Sequence, residues 1–494
     1  MTAKVNGKTI TDSYNATGTR ASRVYGFSTP YTVALTYLAG ANGSKTGMLQ
    51  SYRNGSEDAY TYAYDDNGNV TSITKGSASA SYTYDALSQL TRVSDGFTNK
   101  TTTYTYDNAG NILERKEYAY TTGALGTSTD TVTYAYDSAW KDKLVSYDGE
   151  AITYDEIGNP LSYRGYTLTW QGKRLQSLSG NNTTASYTYD EQGVRSSKTV
   201  NGVTTTFSYN GSLLMAQVQG SGTSQVKQLF SYDANGDVVS VNYNGIEYFY
   251  LRNGQNDIVG LMDGSGNRVV EYTYDAWGKL ISTTGTLATS LGADNPYRYR
   301  GYYYDTETGL YYLMTRYYDP EVCRFISADV YMSTGQGVLG ENMFAYCGNN
   351  PVNRADSQGE FAILGTIVAG VVSVVVAGVF GGLSSLASGE SFGAGFVSGA
   401  VTATVTVAAI AITVATGGTA GAVIAAGVIG GAVGGFAGYG AECIIISDKE
   451  FKANEARCRV LVPGRTGALS GRFTSIAGNP LGILRERRAR VPCS

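Results

Sequence analysis

A chain of 494 residues is long enough to bury a large core, and its 63 Gly and 41 Tyr against only 8 Pro and 16% charged residues suit a glycine-turned, tyrosine-rich β structure rather than a disordered one. Histidine is absent, which removes Ser-His-Asp and Cys-His nucleophile pairs, His general bases and His-based zinc or iron sites; any chemistry must use carboxylates, Tyr, Cys, Lys or Arg. The net charge of −4 is uneven, because residues 448–494 hold ten Lys/Arg against four Asp/Glu while the remainder is acidic, so no nucleic-acid binding is expected of the repeat region.

The N-terminal residues Met1-Thr2-Ala3-Lys4-Val5-Asn6-Gly7 carry no apolar h-region, and no secretory signal peptide is visible. From there to residue 293 one dipeptide recurs with a turn behind it: Tyr64-Asp65-Asp66-Asn67-Gly68-Asn69-Val70, Tyr106-Asp107-Asn108-Ala109-Gly110-Asn111-Ile112, Tyr154-Asp155-Glu156-Ile157-Gly158-Asn159 and Tyr232-Asp233-Ala234-Asn235-Gly236-Asp237-Val238. Further copies start at Tyr84, Tyr136, Tyr189 and Tyr274, with one more beyond that stretch at Tyr304, and the wider intervals are those expected where copies have degenerated. Alternating segments such as Ala80-Ser81-Tyr82-Thr83-Tyr84 precede most copies, so each unit reads as strand, Asp/Asn/Gly turn, strand. Nine Asn-Gly pairs, two of them within these copies, supply the positive φ angles that tight hairpins need. The expected product is a long antiparallel sheet in which each repeat Asp caps its own turn, while each Tyr packs across strands with its hydroxyl in water. A Tyr-rich face also leaves room for carbohydrate or cell-envelope contact.

These Tyr-Asp-x-x-Gly repeats resemble those of the RHS/YD-repeat proteins, over roughly residues 1–360. The likeness is sharpest at Asn295-Pro296-Tyr297-Arg298-Tyr299-Arg300-Gly301-Tyr302-Tyr303-Tyr304-Asp305, leading into Arg316-Tyr317-Tyr318-Asp319-Pro320, which is similar to the RHS-associated core domain. The resemblance implies a β-shell region at 1–293, a core domain and junction at 294–360, and a hollow shell enclosing a variable C-terminal toxin. In the RHS and related Tc-toxin families the core ends in a self-cleaving aspartyl site. The matching residues here are the junction motif Asp319, Pro320, Arg324 and Phe325, followed by Asp329 and Asp356. Two carboxylates held close share a proton and can activate water without histidine. This chain departs from the family pattern at Cys323, where Gly is usual, at Val330, and at Ser357-Gln358. A core that cleaves itself and a core retained as a plug both fit the sequence. Cys323 lacks a histidine to activate it as a nucleophile.

Residues 361–389 and 391–441 carry no charge, and the expected fold there is a hydrophobic, Gly/Ala-rich, α-helical membrane region. Gly427, Gly431 and Gly435 form a helix-packing ridge at four-residue spacing. The Val-rich runs of the same region also suit buried strands. Residues 442–494 are a basic tail.

The expected whole is mainly β followed by this membrane region, a carrier for a variable C-terminus in interbacterial competition. Its expected location is the membrane, the cell envelope or the exterior, and its expected partners are a membrane through 361–441 and an immunity protein. The alternative is a wall- or membrane-anchored repeat protein with an adhesive role. No metal or cofactor site is read from the sequence, and at most an autocatalytic cleavage.

Overall fold

The computed structural model describes residues 2–40, 45–330, 338–356 and Gly359, with short strand segments at 363–364, 442–444, 456–461 and 469–473. Two antiparallel 14-stranded sheets follow one another, each strand pairing with the next in the chain. The first runs from Thr2–Val5 to Glu150–Ala151, the second from Thr153–Tyr154 to Leu280–Thr284.

One repeat explains the pattern. Strand Lys100–Tyr106 pairs with Ile112–Ala119, and the register shifts by a bulge between Thr105 and Tyr106. Beyond it the Asp107 N–H donates to the Asn111 carbonyl at 3.0 Å and the Gly110 N–H donates to the Asp107 carbonyl at 3.1 Å. Asp107 Oδ1 accepts from the N–H groups of Ala109 and Asn111, both at 2.9 Å. Equivalent carboxylate caps close the turns at Asp65, Asp85, Asp155, Asp233 and Asp275, as the repeat pattern predicts. The turn glycine takes a positive φ, +82° at Gly68, which an L side chain resists.

The repeat tyrosines correct the expectation that their hydroxyls reach water. Tyr84 donates to the Val70 carbonyl at 2.7 Å, Tyr106 to Leu90 at 2.6 Å, Tyr136 to Ile112 at 2.8 Å and Tyr274 to Ile258 at 2.8 Å. The bulge before each turn interrupts the strand ladder, and the hydroxyl of the next repeat supplies a donor to the buried carbonyl just past that turn. Where the tyrosine is replaced, another donor takes its place: Trp170 Nε1 bonds the Pro160 carbonyl at 2.7 Å and Arg252 Nη2 the Val238 carbonyl at 2.7 Å. Trp170-Gln171 and Arg252-Asn253 are thus degenerate copies within the wide intervals, and the turn at the opposite ends of strands Ile258–Met262 and Arg268–Tyr274 is capped in the same local way, Asp263 accepting from the N–H groups of Ser265 and Asn267.

The second sheet comes round to the first. Asp233 pairs with Arg20 at 2.9 Å and Arg23 at 2.7 Å, Glu57 with Arg268 at 2.6 Å, and the Gly254 N–H donates to the Tyr62 hydroxyl at 2.9 Å. These partners lie 192 to 213 residues apart, and between them Ile10, Tyr25, Phe27 and Val33 pack against Val239, Phe249, Leu251 and Met262. The core-domain segment packs against the repeats, Tyr311, Tyr318 and Tyr346 being fully buried in one cluster with repeat residues such as Leu90, Ile112, Leu175 and Trp277.

The separate unit Ser373–Ser494 contains an antiparallel three-stranded sheet, Glu442–Ile444, Ala456–Leu461 and Leu469–Phe473, within the stretch read as a basic tail. The membrane region expected at 361–441 lies outside the described residues except for Ile363–Leu364, which pairs with Arg354–Ala355. Gly427, Gly431 and Gly435 are outside them entirely. Among the described residues no helix is long and apolar enough to cross a membrane.

Candidate functional site

The junction motif is first a docking device. Strand Tyr317–Asp319 ends in a turn that places the Asp319 carboxylate, fully buried, on the Tyr163 hydroxyl at 2.9 Å and on Arg164 Nη1 at 2.7 Å, while its Oδ1 caps the Glu321 N–H at 2.8 Å. Pro320 starts that turn, its carbonyl facing the Cys323 thiol at 3.7 Å. Cys323 adopts φ +64°, the left-handed conformation for which glycine is the easy residue, so this departure from the family pattern leaves the turn in place. Burial pushes its thiol well above the ordinary range, which removes it as a nucleophile. Glu321 is held at about 2: burial opposes ionisation, and bonds from Lys279 and Arg115 override it.

Arg324, buried, spans from the core to the shell. Its Nη2 donates to the Asp142 carbonyl at 2.7 Å and its Nη1 to the Tyr136 hydroxyl at 3.2 Å. Phe325 donates its N–H to the Phe344 carbonyl at 3.0 Å and offers its ring to the Arg316 guanidinium, 3.6 Å from the centroid.

Arg316 is where the two junction carboxylates meet. Its Nη2 lies 2.8 Å from Asp329 Oδ2 and 3.5 Å from Asp356 Oδ2, and all three residues are buried. Its Nη1 donates to the Met343 carbonyl at 3.0 Å, the same carbonyl that accepts the Asp329 N–H at 2.9 Å. Asp356 donates its N–H to the Tyr302 hydroxyl at 2.7 Å and accepts the Gly359 N–H on Oδ1 at 2.8 Å. The Gly359 carbonyl accepts from Thr315 Oγ1 at 3.0 Å and from Arg316 Nε. Two acids separated by 27 positions are thus brought to one cation, with the peptide of Gly359 tied to the same group. Sequence reading named both acids but not Arg316 as their common partner; the signal was its place directly before Tyr317-Tyr318-Asp319. Among the described residues no cluster of His, Cys, Asp and Glu is able to hold a metal.

The repeat Asp305 departs from the turn-cap expectation. Its carboxylate, fully buried, accepts instead from Arg195 Nη1 at 2.7 Å and Lys198 Nζ at 2.9 Å, and Lys198 also meets Glu307 at 2.8 Å. Arg195 lies over the Tyr312 ring at 4.2 Å, so the cluster joins core to shell through buried charge.

A family model of the teneurin YD-shell matches residues 73–352, more than half of the chain. The chain belongs to the YD-shell family. This is the RHS/YD-repeat assignment that the Tyr-Asp turns carried. The tRNA3(Ser)-specific nuclease WapA of Bacillus spizizenii is 37% identical over 265 residues, 53% of this chain and 11% of the relative. The double-stranded DNA deaminase toxin A of Burkholderia cenocepacia is 27% identical over 328 residues, 56% of this chain and 22% of the relative. A crystal structure of TcdB2-TccC3-TEV shares the fold with a TM-score of 0.52 at 20% identity, covering 73% of this chain and 21% of that one. The Photorhabdus luminescens Tc holotoxin pore with mutation TccC3-D651A gives a TM-score of 0.51 at 19% identity, over 73% of this chain and 20% of that one. This YD-shell chain therefore spans a small part of the length of each of these relatives.

Proposed function

We propose that this chain is part of a YD shell that carries the residues following Gly359 as a variable region for competition between bacteria, and that the junction frees that region by hydrolysing the chain at Gly359. The carrier reading is supported by two relatives that match about half of this chain, 53% and 56%, yet bear different activities in their names, a tRNA nuclease and a DNA deaminase toxin. The cleavage reading is carried by one observation: Asp329 and Asp356 meet a single Arg316 nitrogen that belongs to the same guanidinium as the donor on the Gly359 carbonyl.

In this reading the pair holds one proton. The ionised carboxylate takes a proton from water as the water oxygen adds to the Gly359 carbonyl carbon, and Thr315 Oγ1 and Arg316 Nε hold the charge that develops on the carbonyl oxygen. The protonated acid then gives its proton to the leaving nitrogen as the C–N bond breaks, leaving a carboxylate on Gly359 and a free amine on Glu360. Delivery to the cell envelope or beyond, membrane insertion of 361–441 through the Gly427, Gly431 and Gly435 ridge, and protection by an immunity protein complete the proposal for the carried region.

Intact mass spectrometry of the purified full chain tests the cleavage. Two fragments meeting at Gly359 are expected, and Asp329→Asn and Asp356→Asn are each expected to leave one uncut species. An uncut wild-type chain under native conditions would overturn it.

A further inference from the structure

The junction carboxylates are positioned by the shell as well as by the segment that bears them. The peptide linking Ala328 to Asp329 is held on both sides: its N–H donates to the Met343 carbonyl at 2.9 Å, and its carbonyl accepts from Lys173 Nζ at 2.9 Å. The preceding peptide is fixed too, since the Ala328 N–H donates to the Gly158 carbonyl at 3.0 Å. Lys173 stands in the tight turn between strands Tyr166–Gln171 and Arg174–Gly180, 155 residues before Ala328, and its Nζ also donates to the Ile157 carbonyl at 2.6 Å. Gly158, at φ +81° in a repeat turn, leaves no room for a side chain there, because a Cβ would stand 2.8 Å from the Ala328 Cβ and 2.8 Å from the Trp140 ring. The Met343 side is anchored likewise, its N–H donating to the Asp142 carboxylate of the shell at 2.7 Å.

We infer that Lys173 is a positioning residue for Asp329, so that self-cleavage waits until the shell turns at 155–159 and 171–174 have closed on Ala328. This rests on the self-cleavage reading above and adds its regulation: release of the carried region is conditional on a completed wall. A chain whose shell has not folded lacks the donor that orients the Ala328–Asp329 peptide, and misplacement on the scale of an ångström is enough to slow a reaction by orders of magnitude. The charged groups facing Lys173 are Asp155, Asp329 and Arg316. Burial, the largest influence, lowers its ammonium to about 8, with Arg316 adding to the effect and Asp155 and Asp329 opposing it.

The test follows fragment appearance in purified full-length chain between pH 6 and pH 9 for wild type, Asp329→Asn, Lys173→Met and Lys173→Arg, with circular dichroism and thermal melting of each. Lys173→Met is expected to cleave about tenfold more slowly at pH 7. Lys173→Arg is expected to recover most of the rate, and to lack a decline through pH 8 that wild type shows as the ammonium loses its proton. Any pH dependence of the acid pair is common to both proteins, so the difference between their profiles isolates Lys173. That comparison stands even if Lys173→Met folds poorly, since both proteins keep the cation. Superimposable profiles, or a folded Lys173→Met cleaving at the wild-type rate while Asp329→Asn stays uncut, would overturn the inference and leave the cleavage reading intact. Cleavage of Asp329→Asn at the wild-type rate would overturn both.

Discussion

Asp107 in the repeats and Asp305 in the core domain follow the same kind of tyrosine, and both are acids at the head of a turn, yet they are satisfied differently. Asp107 accepts from N–H groups two and four residues ahead of it, and a copy of that arrangement closes turn after turn. Asp305 accepts from Arg195 and Lys198, 110 and 107 residues away, and Asp319 from Tyr163 and Arg164, 156 and 155 residues away. The shell is thus built from locally complete units stacked by hydroxyl bonds, whereas core-domain acids such as Asp305 and Asp319 are completed by shell residues far away in the chain. Local completion lets repeats vary and degenerate, as Trp170 and Arg252 show. Remote completion makes the core sensitive to single changes.

The sharpest break of this contrast is Asp305→Ala. It leaves Arg195 and Lys198 buried without their shared carboxylate, and a loss of about 3–5 kcal/mol is expected in urea unfolding. The double change Arg195→Met with Asp305→Leu should regain part of that loss, since Lys198 keeps Glu307. A smaller effect is expected in the shell. Tyr84→Phe removes the donor to the Val70 carbonyl and should cost about 1–2 kcal/mol, while Tyr14→Phe, at an exposed position, should change little.

Two further effects are in pH dependence and have opposite signs. Burial raises Asp275 from 3.8 to about 6, so the native state holds a proton that the unfolded chain has released, and stability is lost as pH rises through that window. Asp275→Asn should therefore raise the melting temperature at pH 7 and make no difference below pH 3.8. Glu321, lowered from 4.5 to about 2, adds stability above pH 4.5 that is lost as pH falls toward 2. Glu321→Gln should lower the melting temperature at pH 7, with the deficit shrinking in acid.

The shell was legible because its determinants lie within one repeat. Tyr, Asp and Gly at fixed offsets dictate a bulge, a capped turn and a positive φ, each a short-range steric or hydrogen-bonding requirement. The pair Asp329 and Asp356 was legible as a motif, and Cys323 as a departure from it. The hydroxyl staples were missed because a donor in one repeat serves a carbonyl in the previous one. Degenerate copies were missed because Trp170 and Arg252 share with Tyr only a hydrogen-bond donor on a long side chain.

What the sequence by itself determined is the repeating antiparallel wall, since side-chain alternation and turn chemistry act over a few residues. Only the tertiary structure decided that Arg316 gathers Asp329 and Asp356, that Asp305 pairs across the core instead of capping its turn, and that Lys173 reaches the peptide before Asp329. The physical reason is common to all three: a charge buried away from water takes whichever partner the folded chain brings within reach, and that partner lies at a distance no local pattern encodes.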